Sequence, residues 1–126
     1  MRPSLAPKAF ARLCCKLALD KRAEDVIIID LRKLNAPTDY FVICSASADR
    51  QVKAIVDNIL EGTADKGIKP WHIEGYGALR WVLIDYVDVV VHVFHRDTRA
   101  FYSLETLWGD APMEKIEPKK PRAARK

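Results

Sequence analysis

The sequence has few cysteines and no long apolar run, and each shortage excludes a class of protein. Cys14, Cys15 and Cys44 are odd in number and include no Cys-x-x-Cys pair, which argues against a disulfide framework and against a zinc site. No apolar stretch approaches the roughly 20 residues that a membrane-spanning helix needs, and the first residues lack the apolar run of a signal peptide. We therefore expect a cytoplasmic protein, and its 126 residues suit one domain.

The net charge of +4 comes entirely from the carboxyl-terminal segment. Residues 113–126 hold six basic side chains against two acidic ones, while the preceding 112 residues carry 15 of each sign. This composition, with Pro118 and Pro121, predicts a disordered basic tail over 113–126 after a single domain over 1–112. The candidates for weak contact with rRNA phosphates are Lys119, Lys120, Arg122, Arg125 and Lys126.

The chain also lacks the residue spacings that catalysis on phosphates requires. Asp85, Asp88 and Glu74 suggest a Mg²⁺ site, but nucleotidyl transfer uses two carboxylates one residue apart, whereas these aspartates are three apart. The segment Ser45-Ala46-Ser47 lacks the glycine that lets the backbone approach a phosphate. We therefore predict no metal, no cofactor and no enzymatic activity. The alternative is a metal-dependent nucleotidyltransferase that uses Asp85, Asp88 and Glu74.

Other motifs that resemble catalytic or cofactor sites are incomplete. His92 and His95 form a His-x-x-His pair, which on a strand points the two rings to opposite faces. Cys44 lies in an apolar strand where nothing activates a thiolate, so it is interpreted as a core residue. Gly75-Tyr76-Gly77 is followed by Arg80 where a dinucleotide fingerprint needs its third glycine. None of these motifs predicts a cofactor.

Hydrophobic periodicity predicts three helices and five strands, in the order helix, strand, strand, helix, strand, strand, strand, helix. The first helix begins at Pro7, and the second is capped by Ser47 and stopped by Gly67 in a left-handed conformation. The last is capped by Asp97 and turns four side chains inward: Phe101, Leu104, Leu107 and Trp108. The predicted strands are Val26–Ile29, Tyr40–Cys44, Lys69–Glu74 and the two halves of a hairpin over Trp81–Phe94. We expect an α/β domain with a mixed five-stranded sheet flanked by helices.

The hairpin is the best candidate for a binding surface. Alternate residues of its first strand point to opposite faces, so one of the two stripes is free for a partner if the sheet is covered on one side only. Trp, Tyr and Arg dominate interface hot spots, and Arg80, Trp81 and Tyr86 supply all three types within seven residues. Trp81 is therefore either a core residue or the anchor of an interface.

Short motifs that run from Phe10 to Pro112 carry a family resemblance. They are Asp25-Val26 with Asp30, Thr38-Asp39-Tyr40-Phe41-Val42-Ile43-Cys44, Asp49-Arg50-Gln51-Val52, Glu74-Gly75, Trp81-Val82-Leu83-Ile84-Asp85-Tyr86, Asp88-Val89-Val90-Val91-His92, and Phe101-Tyr102 through Leu107-Trp108-Gly109-Asp110-Ala111-Pro112. In combination they resemble the Iojap family, the bacterial ribosomal silencing factors RsfS.

The resemblance implies a nucleotidyltransferase-like topology without that enzyme's catalytic residues. It also implies a protein that binds the large ribosomal subunit through ribosomal protein L fourteen, sterically blocks joining of the small subunit and so represses translation. A homodimer is implied as well. An RNA-binding module that works through the basic tail is the remaining alternative. By match of motif, Trp81 is the expected interface anchor, and its expected neighbours on one patch are Glu74, Asp85, Tyr86, Asp88 and Arg99.

One residue departs from the family pattern. Val87 stands where many members have glycine, and a two-residue hairpin turn of the mirror-image type would need a positive φ there. Because a β-branched residue disfavours that conformation, the sequence predicts a wider or differently aimed turn.

Overall fold

The computed structural model describes residues 5–118, which form one six-stranded mixed sheet flanked by helices. The order along the chain is α1 (Pro7–Leu19), β1 (Glu24–Asp30), β2 (Tyr40–Ala46), α2 (Asp49–Ala64), β3 (His72–Glu74), β4 (Trp81–Asp85), β5 (Val89–His95), α3 (Arg96–Tyr102), α4 (Leu104–Leu107) and β6 (Met113–Lys115). The strands lie in the order β3-β4-β5-β2-β1-β6, and only β2 and β5 are parallel. The predicted mixed α/β sheet with flanking helices is confirmed, with six strands instead of five. Within the described residues, no helix is both long and apolar enough to span a bilayer.

The sixth strand corrects the predicted boundary at residue 112. Met113–Lys115 pairs with β1, where Met113 lies opposite Ile29 and Lys115 opposite Ile27. The Arg12 guanidinium of α1 donates to both carboxylate oxygens of Glu114, at 3.0 and 2.9 Å. The start of the predicted tail is therefore part of the domain, because it satisfies backbone groups that the edge of β1 would otherwise expose. The basic residues from Lys119 to Lys126 lie outside the described part of the chain.

The larger core lies between the sheet and the pair α1 and α2. Pro7 occupies the first turn of α1, as predicted, and Gly67 adopts the left-handed conformation with φ +78° after α2. Ser47 does not cap α2, since the N-cap residue is Ala48 and no side chain bonds the first turn. The fully buried side chains on this side include Val42, Val52, Ile55, Val56, Ile59, Val82 and Ile84.

A smaller core lies on the opposite face of the sheet. It is centred on Ile27, Ile29, Leu31, Ile43 and Phe94 and is closed by the loop after β1 and by the segment around Trp108 and Ala111. These elements cover β1, β2 and the end of β5. On the same face β4 is only partly covered, because Trp81, Leu83 and Asp85 all remain partly exposed. We refer to β4 and the neighbouring part of β5 on this face as the uncovered end of the sheet.

The predicted last helix is broken into two. Ser103 adopts a left-handed conformation with φ +47°, which ends α3 and redirects α4. As a result Leu104 and Trp108 pack on the smaller core, whereas Phe101 is 81% exposed and Leu107 is 75% exposed. The prediction that all four face inward is therefore wrong for two of them. Asp97 is not the cap either, since its own N–H donates to Nδ1 of His95, the N-cap residue, at 3.3 Å.

The hairpin turn is tight, contrary to the expectation from Val87. Val87 has φ +77°, and its N–H donates to Oδ1 of Asp85 at 2.7 Å. The N–H of Asp88 donates to the carbonyl of Tyr86 at 3.0 Å, and the N–H of Tyr86 donates to the carbonyl of Val89 at 2.9 Å. The turn therefore keeps two residues and holds a β-branched side chain in a strained backbone conformation.

We predict that Val87→Gly raises the free energy of unfolding by about 1 kcal/mol, because glycine removes a conformational cost of about 1–3 kcal/mol and loses part of that gain to chain entropy. Val87 is 55% exposed, so little apolar contact is lost. Urea denaturation of the two proteins measures the change. Val87→Ala is the matched control, since it shortens the side chain and keeps the strain. A glycine variant no more stable than the alanine variant would contradict this account of the turn.

Candidate docking surface

A groove of about 470 Å³ runs over the uncovered end of the sheet. It is lined mainly by apolar side chains, and the full set is Pro37, Thr38, Phe41, Trp71, Leu83, Asp85, Val87, Val90 and His92. We call it the open-face groove. Its position follows from strand alternation: Val82 and Ile84 point to the larger core, so Leu83 and Asp85 must point to the opposite face.

Exposed aromatic rings extend the groove at both ends. Trp71 is 75% exposed at one end, and its N–H donates to the carbonyl of Asp85 at 2.8 Å, which fixes it beside β4. Phe101 and Tyr102 lie at the end of α3, with ring centroids 5.0 Å apart, and Tyr102 packs 5.0 Å from Trp81. The groove together with Trp81, Phe101 and Tyr102 is called the docking surface below. Exposed aromatic rings around an apolar groove are typical of a protein interface.

Trp81 is partly buried within this surface. Its ring centroid lies 4.8 Å from that of Phe94 in the smaller core, and its Nε1–H donates to Nδ1 of His92 at 3.0 Å. The indole is thus neither sealed in the core nor fully exposed. Trp81 therefore contributes to the smaller core and packs beside Tyr102, while its role as an interface anchor stays a prediction.

Two residues that line the groove each contain a buried polar atom without a hydrogen-bond partner among the described residues: Oγ1 of Thr38 and Nε2 of His92. His92 is only 3% exposed, and burial lowers the pKa of its imidazole to about 4. Its ring is therefore neutral near pH 7. As the sequence predicted, His95 lies on the other face, where it caps α3.

The charged side chains at the groove are acidic. Glu74 lies directly opposite Leu83 across the β3–β4 pair, so its side chain shares the groove face, and His72 contacts its carboxylate at 2.7 Å. Asp85 lines the groove itself. No lysine or arginine lines the groove within residues 5–118. Trp81, Glu74 and Asp85 therefore share one face of the sheet, and their contact with a partner stays a prediction.

Tyr86 and Asp88 do not belong to this face. The Tyr86 ring packs edge-on against Phe10 at 4.7 Å, its hydroxyl bonds Oγ1 of Thr63 at 2.8 Å, and burial raises its pKa. Asp88 lines a small separate cavity with Phe10 and Tyr86. The prediction that both share a patch with Trp81 is wrong, because the turn sends them to the side of the sheet that α1 and α2 cover.

Arg99 is buried and bonded within the domain. It is 9% exposed, and its Nη1 donates to the carbonyl of Asp25 at 2.7 Å and to Oγ of Ser45 at 3.1 Å. Its Nε donates to Glu105 at 3.1 Å. These bonds hold α3 against β1 and β2 and connect it to α4. The structure therefore places Arg99 inside the domain and away from Trp81, and not beside it on the docking surface as the resemblance implied.

The sequence does not mark Trp71 or Phe41 as site residues, and its pattern places Phe101 in the core. Trp71 follows Pro70 in a segment with no periodicity, and only its long-range bond to β4 places it at the groove. The excess of aromatic residues around the hairpin was the one available signal. Without the position of the break at Ser103, that signal does not reveal which rings are exposed.

The side chains that a metal site or a cysteine nucleophile would need do not lie together in the described part of the chain. Asp85 faces the groove while Asp88 faces a different cavity, so the two carboxylates do not converge. Cys44 is fully buried on the side of the larger core, where burial raises the pKa of its thiol to about 12, and His92 lies on the other face. Among residues 5–118, no three His, Cys, Asp or Glu side chains lie close enough together to hold a metal ion.

The sequence is similar to that of proteins whose names refer to the ribosome. The sequence profile described as "Ribosomal silencing factor during starvation" matches residues 4–126. The chain is similar to the ribosomal silencing factor RsfS of Bacillus subtilis, with 43% identity over 110 residues that cover 87% of this chain and 93% of that protein. It is also similar to the "Mitochondrial assembly of ribosomal large subunit protein 1" of Mus musculus, with 33% identity over 98 residues that cover 73% of this chain and 42% of that protein.

A solved structure has the same fold. The X-ray structure of a protein from Chromobacterium violaceum superposes with a TM-score of 0.80 and 28% sequence identity, and the alignment covers 97% of this chain and 98% of that one. The structural similarity therefore extends over nearly the whole length of both chains.

Proposed function

The chain belongs to the family of ribosomal silencing factors, and from this membership we propose that its docking surface binds the large ribosomal subunit through ribosomal protein L fourteen. The bound domain occupies space that the small subunit needs, so subunits do not join and translation falls. No covalent bond is made or broken in this mechanism. The observation that carries the proposal is the apolar groove flanked by exposed aromatic rings on the uncovered end of the sheet.

The chemistry of the surface favours a protein partner over bare rRNA. Glu74 and Asp85 are the acidic groups on the groove face, and a phosphate backbone brought against them would be repelled. An apolar groove with an acidic rim instead fits an apolar protein segment with basic neighbours. The name of the mouse relative, which refers to assembly of the ribosomal large subunit, supports the same partner.

The mechanism needs binding free energy and a rigid body. A specific interface buries about 800 Å² on each partner, and aromatic anchors near its centre supply most of the affinity. Trp71, Trp81 and Tyr102 are placed to act as such anchors around the groove. Of the three, Trp81 packs on the smaller core, so its side chain loses little conformational entropy on docking. The homodimer that the resemblance implies stays a prediction, which the oligomeric state in solution would test.

Trp71→Ala is expected to weaken binding to large subunits by roughly 30-fold, because a truncated aromatic anchor costs about 2 kcal/mol. Since the side chain is 75% exposed, the free energy of unfolding should hardly change. Co-sedimentation with separated large and small subunits measures both the affinity and the choice of subunit. Met113→Ala is the matched control, since Met113 is an exposed apolar residue on β6 at the other edge of the sheet. Equal loss in both variants, or wild-type binding to small subunits alone, would contradict the proposal.

A further inference from the structure

In the hydrogen bond between Trp81 and His92, the chemistry of the two side chains determines which one donates. An indole Nε1–H is a donor only, so Nδ1 of His92 must accept at 3.0 Å, and the proton of the neutral imidazole is on Nε2. Burial favours this neutral state near pH 7. Asp85 on β4 is the carboxylate that lines the groove with the imidazole, and Tyr102 on α3 is the ionisable group that packs against the indole.

The position of His92 is itself fixed by packing. It lies opposite Leu83 in the β4–β5 pair and opposite Ile43 in the β2–β5 pair, near the centre of the sheet. The Phe41 ring packs edge-on against it, with centroids 4.5 Å apart, and the Phe94 ring is stacked at 6.3 Å. An acceptor held this firmly can orient the group that bonds to it.

Packing alone does not define the orientation of Trp81. The second side-chain torsion of tryptophan has a broad and roughly two-fold preference, so similar packing is compatible with two flipped positions of the indole. A single acceptor at Nδ1 of His92 distinguishes them, because only one position brings Nε1 within 3.0 Å. In that position the indole N–H points into the domain, and the exposed side of the ring presents carbon atoms only.

We propose that His92 is a positioning residue for large-subunit binding: by accepting the indole N–H, it fixes the ring of Trp81 so that the docking surface presents an apolar edge to the partner. This inference rests on the proposed function. It adds that the partner supplies an apolar contact opposite Trp81 and no hydrogen-bond acceptor for its N–H. His92 acts entirely through Trp81 and does not itself need to touch the partner.

The test is a double-mutant cycle in the full chain, with affinity for purified large subunits as the first readout. His92→Phe removes the acceptor while keeping a ring, so the indole N–H gains about the value of one hydrogen bond by turning to solvent. The fraction of molecules with Trp81 in the binding position, and with it the affinity, should fall by up to about tenfold. In a Trp81→Phe background there is no N–H to orient, so adding His92→Phe should cause no further loss. A loss of the same size in both backgrounds would overturn the proposal, since it would show that His92 contributes packing alone.

Two further readouts separate positioning from general stability. The indole Nε1–H resonance of Trp81, followed by ¹H–¹⁵N NMR, should shift and exchange faster with solvent in His92→Phe. His92→Asn should restore both the resonance and most of the affinity, because its Oδ1 is as many bonds from Cβ as Nδ1 is. A variant that keeps the wild-type resonance and affinity without an acceptor would overturn the proposal. Failure of the wild type to bind large subunits would instead reject the proposed function.

Discussion

Gly75→Ala should lower the free energy of unfolding by about 3 kcal/mol or more, because the added methyl group both strains the backbone and clashes with a neighbouring strand. Gly75 has φ +81°, a conformation that L-residues rarely adopt. A Cβ built there would also lie 2.0 Å from the carbonyl oxygen of Trp81 and 3.1 Å from its carbonyl carbon. Both atoms belong to the backbone at the start of β4, so the clash cannot be relieved by a side-chain rotation.

The consequence extends to the docking surface. The Gly75 carbonyl accepts from the N–H of Leu79 at 3.0 Å, which closes the connection between β3 and β4 directly before Trp81. If the added methyl group pushes this connection away, Trp81 moves with it and large-subunit binding should be lost even in molecules that remain folded.

Gly77→Ala is the control for the substitution at position 75. A Cβ at Gly77 meets nothing within 4 Å, and this glycine does not have a positive φ. Urea denaturation should therefore find Gly77→Ala within about 0.5 kcal/mol of the wild type. Equal stability of the two alanine variants would contradict the close approach between β3 and β4.

Trp81→Ala should lose both stability and binding. The partly buried indole contacts Phe94, His92 and Tyr102, so its removal is expected to cost about 2 kcal/mol of folding free energy, below the range for a fully buried aromatic residue. Binding to large subunits should fall by at least roughly 30-fold, since the same ring is an anchor of the docking surface. Thermal unfolding and co-sedimentation measure the two effects in one preparation.

A control for Trp81→Ala must lower stability without touching the docking surface. Leu34 packs partly buried against the same smaller core from the loop after β1, and it does not line the open-face groove. Leu34→Ala should therefore destabilise the domain and leave the affinity for large subunits unchanged. If it weakens binding as much as Trp81→Ala does, the loss would reflect stability alone and the anchor role of Trp81 would be wrong.

The sequence predicted the elements whose signals are local. The stripe of Val52, Ile55, Val56 and Ile59 defined α2, and the β-branched run around Ile27 defined a buried strand. Alternation in the hairpin predicted that its two stripes face opposite ways, and in β4 they are alternately buried and partly exposed. These signals depend on neighbours a few residues apart, which share a face in any helix or strand.

The errors about Arg99, about the end of the domain and about the two stripes of β4 involve contacts between distant residues. Arg99 resembles an exposed helix residue until it meets the carbonyl of Asp25, 74 positions away. Glu114 resembles part of a charged tail until Arg12 and the edge of β1 pair with its segment. The choice between the two stripes of β4 likewise depends on where α1 and α2 pack. Local patterns cannot specify such contacts, because each is decided by the closure of a long loop around the finished sheet.

The central claim is that the domain acts by occupying space on the large subunit, and subunit joining tests it most directly. Purified large and small subunits are mixed, and their association is followed by light scattering while the protein is added at increasing concentration. We expect association to fall as the large subunits become occupied, and Trp71→Ala to need roughly 30-fold more protein for the same effect. Normal joining of large subunits that are shown to be saturated with the wild-type protein would contradict the account.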